Sequence, residues 1–227
     1  MNIQPTRIFP LGDSAITVEF GNELSIALND AAICLAKYLS EYPFPGLIEA
    51  VPAMASVAVF YDQSTVRSTC PSYDTTFSAV RDLVSNALLT APVRRSESGR
   101  LVTIPARFSG NDAPDLDLIA SFADLSIDDA IEIFLSVEYR VFMLGFLPGF
   151  PYLGAVDERI AIPRRATPRT SVPKGSIGIA GRQTGIYPSA SPGGWQIIGR
   201  TEEELIAASV EPPLIFSPGD RVRFVRA

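Results

Sequence analysis

Residues 145–200 read GFLPGFPYLGAVDERIAIPRRATPRTSVPKGSIGIAGRQTGIYPSASPGGWQIIGR. This stretch holds 10 of the 16 glycines of the chain, 7 of its 19 prolines and its single tryptophan. Glycine and proline at this density mark turns that need positive φ, close backbone approach or fixed φ. Disorder does not fit, because Phe146, Phe150, Tyr152, Ile177, Ile179, Ile186, Tyr187, Trp195 and Ile197 are interleaved with them. The pattern predicts short strands and tight turns, the composition of a small β-barrel. From Ile160 to Thr201 there is no acidic residue but there are six basic ones, Arg164, Arg165, Arg169, Lys174, Arg182 and Arg200. A local charge of +6 in a chain of net charge −6 is a place for an anion to dock. The arginines equally suit ion pairs with acidic residues of the chain or of a partner, and both readings stay open.

The 227 residues suffice for a substantial core in one or two domains. The acidic balance argues against a generic nucleic-acid face, which must be broadly basic. No apolar run is long enough for a membrane span, and residues 1–15 lack the pattern of a signal peptide. Cys34 and Cys70 lie far apart and outside any CxxC, which suits free thiols and a cytoplasmic location. There is no histidine. That removes a Ser-His or Cys-His nucleophile, a histidine-ligated metal and a histidine base, so no metal site is expected.

The N-terminal half reads strands, helix, two strands, helix. Ile16, Val18 and Phe20 alternate on a strand over 14–20 that follows another at 7–9. Leu24, Leu28, Ala32, Leu35 and Leu39 repeat at helical spacing until Pro43 and Pro45. Strands are predicted at 47–51 and 57–61, then a loop with Cys70 to Ser72, then a helix capped by Asp74 or Thr75. This order predicts an α+β sandwich with helices on one face of an antiparallel sheet. The polar run 91–100, APVRRSESGR, is the natural boundary, giving domains 1–92 and 93–227. Beyond it the pattern predicts a strand at 101–105 and helices near 115–123 and 127–136. Ser126 and Asp129 form a start of capping-box type for the second helix. Those two helices carry too much negative charge to read DNA, so packing is their predicted role. Strands follow at 139–146 and 221–225, with a helical turn near 201–204.

Four constellations permit chemistry. Guanidinium groups of Arg164, Arg165 and Arg169, on backbone held extended by Pro163 and Pro168, suit a carboxylate or phosphate. Gly181 to Pro188 presents Gln183, Thr184 and Tyr187, as a ligand loop or as a hairpin turn satisfying itself. Ser191 to Trp195 offers Trp195 as a platform or as core. With Arg200 these residues make up the candidate ligand-binding set: Arg164, Arg165, Arg169, Gln183, Thr184, Tyr187, Trp195 and Arg200. Without histidine, the acid–base candidates are Glu138, Asp115, Asp157 and Glu158, with Glu138 before the strand the catalytic candidate. The nucleotide loops GxxxxGK[ST] and GxGxxG are both absent.

PGFPYLG (148–154), PRRATPRTSVPKGSIGIAGRQTGIYP (163–188) and SPGGWQIIGRT (191–201) resemble the allophanate hydrolase subunit 1, or KipI-like, family. GDSAITVEFG (12–21) and VPAMASVAVFYD (51–62) extend the likeness to the N-terminal half. The resemblance implies a ferredoxin-like α+β domain followed by a cyclophilin-like β-barrel. It implies a subunit of an ATP-dependent 5-oxoprolinase that opens 5-oxo-L-proline to L-glutamate. Such a subunit works in the cytoplasm with a C-type and an A-type partner, binds ATP as part of the complex, and is inactive alone. The same family contains a non-catalytic inhibitor of a sensor histidine kinase, which is the alternative. The PRR-x2-PR arginines are a hallmark of the family and favour function for that cluster. Three positions depart from it: Phe134 stands where relatives have histidine, Ala113 where glycine is expected, and Lys174 where a small residue is expected.

Overall fold

The computed structural model describes residues 3–91, 99–206 and 213–227. The chain forms two compact units, Met1–Glu97 and Ser98–Ala227. The polar run predicted as the junction falls mostly on 92–98, outside the described residues.

In the first unit β1 (Arg7–Pro10), β2 (Ala15–Glu19), β3 (Leu47–Pro52) and β4 (Ser56–Tyr61) form one sheet in the order β1-β2-β4-β3. All neighbours are antiparallel. Three helices accompany it, α1 (Ile26–Glu41), α2 (Gln63–Thr69) and α3 (Thr76–Thr90). The alternation read from the sequence places Ile16, Val18, Val57, Val59 and Tyr61 on one face, where they bury against Leu35 and Leu39 of α1 and Val80 and Val84 of α3. Strand β4 lies between β2 and β3, the split β-α-β arrangement of ferredoxin-like sheets. The outer place beside β2 is taken by β1, from the N-terminal side of the chain. Thr75 caps α3 by accepting from the Ser78 N–H at 3.1 Å. Helix α2 was not legible, because QSTVRST buries only Val66; its start is fixed by Asp62, which accepts from the Thr65 N–H at 2.7 Å.

The second unit contains β5 (Leu101–Ala106), α4 (Leu116–Ala123), α5 (Ile127–Leu135), β6 (Glu138–Leu144), β7 (Pro151–Gly154), β8 (Arg169–Val172), β9 (Ser176–Ala180), β10 (Gln183–Ile186), β11 (Ser191–Gly193), β12 (Gln196–Arg200) and β13 (Arg221–Arg226). Seven strands form one sheet in the order β12-β9-β10-β7-β6-β13-β5. Its two edges meet where Arg107 and Arg200 exchange backbone hydrogen bonds of 2.8 and 2.9 Å. The sheet is therefore a nearly closed barrel, which leaves little free edge. Inside it Tyr139, Val141, Leu153, Ile177, Ile179, Ile198, Val222 and Phe224 pack together. Leu116 and Ile119 of α4 and Ile131 and Phe134 of α5 join that core, so these helices do pack, as predicted. Ser126 caps α5: it accepts from the Asp129 N–H at 3.1 Å and donates to Asp129 Oδ2 at 2.6 Å.

The fold is thus the α+β class expected, a ferredoxin-like unit followed by a cyclophilin-like barrel. Two local expectations are corrected. The strand predicted to run to Phe146 ends at Leu144, because Phe146 takes φ +68 and turns the chain. Thr201 to Glu204 forms no helical turn; the Thr201 hydroxyl instead accepts from the Glu203 N–H at 3.1 Å. Among the described residues no helix is long and apolar enough to cross a membrane.

Candidate functional site

The basic run 160–201 is largely neutralised from outside itself. Lys174 meets Glu204 at 2.8 Å, Arg182 meets Glu158 at 3.1 Å and Arg200 meets Asp112 at 3.6 Å. Arg165 and Arg169 share one carboxylate oxygen, Asp115 Oδ1, at 3.1 and 2.7 Å. Asp115 is 4% exposed. Its other oxygen accepts the Ile197 N–H at 2.6 Å, and its own N–H donates to the Ile197 carbonyl at 3.0 Å. Asp115 thus completes the outer edge of β12 as a neighbouring strand would, while neutralising one of two guanidinium charges. Among the described residues, Arg164 is the one member of the run with no carboxylate partner. Its guanidinium carbon lies 5.9 Å from the centroid of the Trp195 ring, within cation–π range.

That ring belongs to a second cluster on the opposite face of the barrel sheet. On β12 Ile198 points into the barrel and Ile197 into this cluster; on β7 Leu153 and Tyr152 divide in the same way. Phe150 stands at its centre, edge-on to Trp195 at 5.5 Å, Tyr187 at 5.2 Å and Phe146 at 5.5 Å. Gly185 lets this ring lie on β10, since a Cβ there would stand 2.7 Å from Phe150 Cζ and from the Pro151 carbonyl oxygen.

The loop from β6 into β7 holds Phe146 above the cluster. The Leu147 N–H donates to the Gly145 carbonyl at 2.8 Å, a γ-turn with Phe146 at its centre. The next turn closes from the Phe150 N–H to the Leu147 carbonyl at 3.0 Å, with Pro148 and Gly149 (φ +76) in the middle as a type II turn requires. Phe146 is 59% exposed despite its size, at a φ that disfavours a bulky residue. Strain of this kind is commonly retained at functional sites.

Several candidates hold structural posts. Thr184 is fully buried and donates to the Gly178 carbonyl at 2.8 Å, which ties β10 to β9. Tyr187 and Trp195 are buried in the aromatic cluster, and Gln183 is half-buried at the start of β10. Arg200 donates to the Lys174 carbonyl at 3.0 Å and meets Asp112, a setting separate from the Asp115 pair. Glu138 accepts from Arg221 at 2.7 Å and from Arg223. The Arg223 hydrogen bond holds its carboxyl below the usual range, which makes it a poor proton acceptor near neutral pH. Arg164, Arg165, Arg169, Tyr187 and Trp195 do come together; Thr184 and Arg200 are committed elsewhere. Sequence reasoning missed the anchoring role of Asp115 and the position of Phe146. Among the described residues no group of three or more Asp, Glu, Cys or His side chains is placed to hold a metal.

The model of the carboxyltransferase domain, subdomains C and D, matches residues 6–216. The chain belongs to that family. It is 43% identical to the B-type subunit of 5-oxoprolinase from Bacillus subtilis, over 97% of this chain and 92% of that one. The 5-oxoprolinase B-type subunit of Escherichia coli O157:H7 is 37% identical, over 98% of this chain and 97% of that one. The crystal structure of TTHA0988 superposes with a TM-score of 0.79 at 35% identity and covers 94% of this chain, which spans only 40% of TTHA0988. All these likenesses run through both units of the chain.

Proposed function

We propose that the protein is the B-type subunit of an ATP-dependent 5-oxoprolinase, a complex that opens the lactam of 5-oxo-L-proline to give L-glutamate. The observation that carries this reading is the near full-length identity, 43% and 37%, to proteins named as that subunit. The site agrees in its chemistry: an arginine cluster beside an aromatic surface suits a small carboxylic acid. It does not suit a nucleotide. The two enclosed arginines are held by Asp115, and the sequence has neither of the glycine-rich loops that cradle phosphates. ATP is therefore assigned to the C-type or A-type partner, and this chain supplies substrate contacts and a surface for assembly.

The test is reconstitution. Hydrolysis of 5-oxoproline is expected only when this chain, both partner subunits and ATP are combined. The isolated chain is expected to show none. Turnover by the lone chain at about 1 per second or more, an ordinary enzymatic rate, contradicts the subunit reading. Failure of the complete mixture to turn over contradicts the substrate.

A further inference from the structure

We propose that Arg164, over the Trp195 ring and with Tyr152 against the same ring, binds the carboxylate of a small organic acid. The identity of the acid as 5-oxoproline rests on the functional reading above. Charge bookkeeping points to Arg164. Five of the six cations in the run 160–201 face carboxylates, and Arg164 faces an aromatic ring instead. It is exposed, so an anion reaches it without displacing an existing partner.

Its backbone is fixed from both sides. Gln196 Nε2 donates to the Pro163 carbonyl at 3.2 Å, and the Arg165 N–H donates to the Gly194 carbonyl at 2.8 Å. The Asp115 pair then holds the side chains of Arg165 and Arg169. Among the described residues Arg164 has no carboxylate partner and sits on a pinned segment, which lowers the ordering cost of binding. A second donor lies nearby. Tyr152 is half-buried, its ring 5.8 Å from Trp195 and 5.0 Å from Phe150. Burial raises its hydroxyl above the usual phenol range, and the charge of Arg164 works against that rise. The hydroxyl is thus a protonated donor at neutral pH. A guanidinium and a phenol that both border the Trp195 ring supply the kinds of donor that the two oxygens of a carboxylate accept. Phe146 stands exposed on the same aromatic cluster, edge-on to Phe150 at 5.5 Å.

Trp195 is the only tryptophan in the chain, so its emission reports directly on this place. The experiment titrates the full-length protein with 5-oxoproline, 5-oxoprolinamide, acetate and inorganic phosphate while recording tryptophan fluorescence. A saturable change with 5-oxoproline and none with its amide is expected. Arg164→Gln should weaken the response about ten- to a hundred-fold, the usual effect of losing a hydrogen bond to a charged group. Tyr152→Phe should weaken it less, while Arg182→Gln, an arginine of the same run paired with Glu158, should leave it unchanged. Saturation by acetate but not by 5-oxoproline keeps the carboxylate subsite and removes the proposed substrate. The proposal is overturned if Arg164→Gln and Tyr152→Phe, each melting as the wild type does, titrate as the wild type does. It is also overturned if phosphate is preferred to carboxylates, or if no carboxylate gives a saturable response.

Discussion

Asp115→Ala is expected to destabilise the barrel unit by about 3–5 kcal/mol, the usual cost of removing one partner from a buried charge pair. The variant takes away three hydrogen bonds together. The Arg165 and Arg169 guanidiniums, 33% and 23% exposed at the side chain, lose their common counter-charge. The Ile197 N–H, on the edge of β12, loses its acceptor at 2.6 Å. At roughly 2–4 °C per kcal/mol for a protein of this size, the melting temperature should fall by roughly 6–20 °C. Arg169→Ala and Arg165→Ala should cost less singly, because each leaves the other guanidinium on the carboxylate. Combined with Asp115→Ala they should add little, since the shared contact is already gone. Arg164→Ala should change stability by no more than about 0.5 kcal/mol. Thermal unfolding of the set decides the matter. If Asp115→Ala melts within a degree or two of the wild type, Asp115 is not the anchor of this segment.

The contrast between Arg164 and its neighbours shows what the sequence could and could not say. The acid-free run and its six cations are plain in the linear chain, and so is their suitability for an anion. Their actual partners are not, since Asp115 lies 50 residues before Arg165 and 54 before Arg169. Pairing at such distance follows from barrel closure, and no local pattern encodes it. Elements with strong periodicity were legible: Ile16 and Val18 of β2, the leucine repeat of α1, the capped start of α3 and the Ser126 cap of α5 all fall where the spacing puts them. Helix α2 buries a single side chain, so it leaves no apolar period to read. The positive φ of Phe146 was hidden for another reason. A phenylalanine predicts extended or helical backbone, and only the γ-turn packed on Phe150 overrides that preference. Thr184 looked like a ligand hydroxyl because burial is invisible in a polar tripeptide between glycines; in the fold it faces Gly178.

Phe134→His and Phe134→Ala address the position where the resemblance implies a histidine. Phe134 is 1% exposed and lies within 5.0 Å of the Tyr139 and Phe224 rings and 6.0 Å of Phe108. The Tyr139 hydroxyl donates to the backbone carbonyl of Phe134 at 2.8 Å, so its proton is already committed. Phe134→Ala should therefore cost about 3–5 kcal/mol through lost contacts and the cavity left behind. Phe134→His keeps most of the ring volume but buries two nitrogens, at a cost of about 1–3 kcal/mol where they stay unpaired. Its pH dependence is the sharper readout, because the wild type contains no histidine. Burial disfavours the charged imidazole, so the introduced group has a lower pKa folded than unfolded. The unfolded chain then binds the extra proton first, and stability falls as pH drops below about 6.5, the free imidazole value. The wild type should show no comparable step between pH 7 and 5. Denaturant unfolding of both proteins across that range tests the argument. A variant as stable as the wild type, with a parallel pH profile, would mean that an imidazole at this position finds a polar partner that the aromatic core does not display. The histidine that the resemblance implies would then be structurally interchangeable with Phe134, and packing alone would not decide between them.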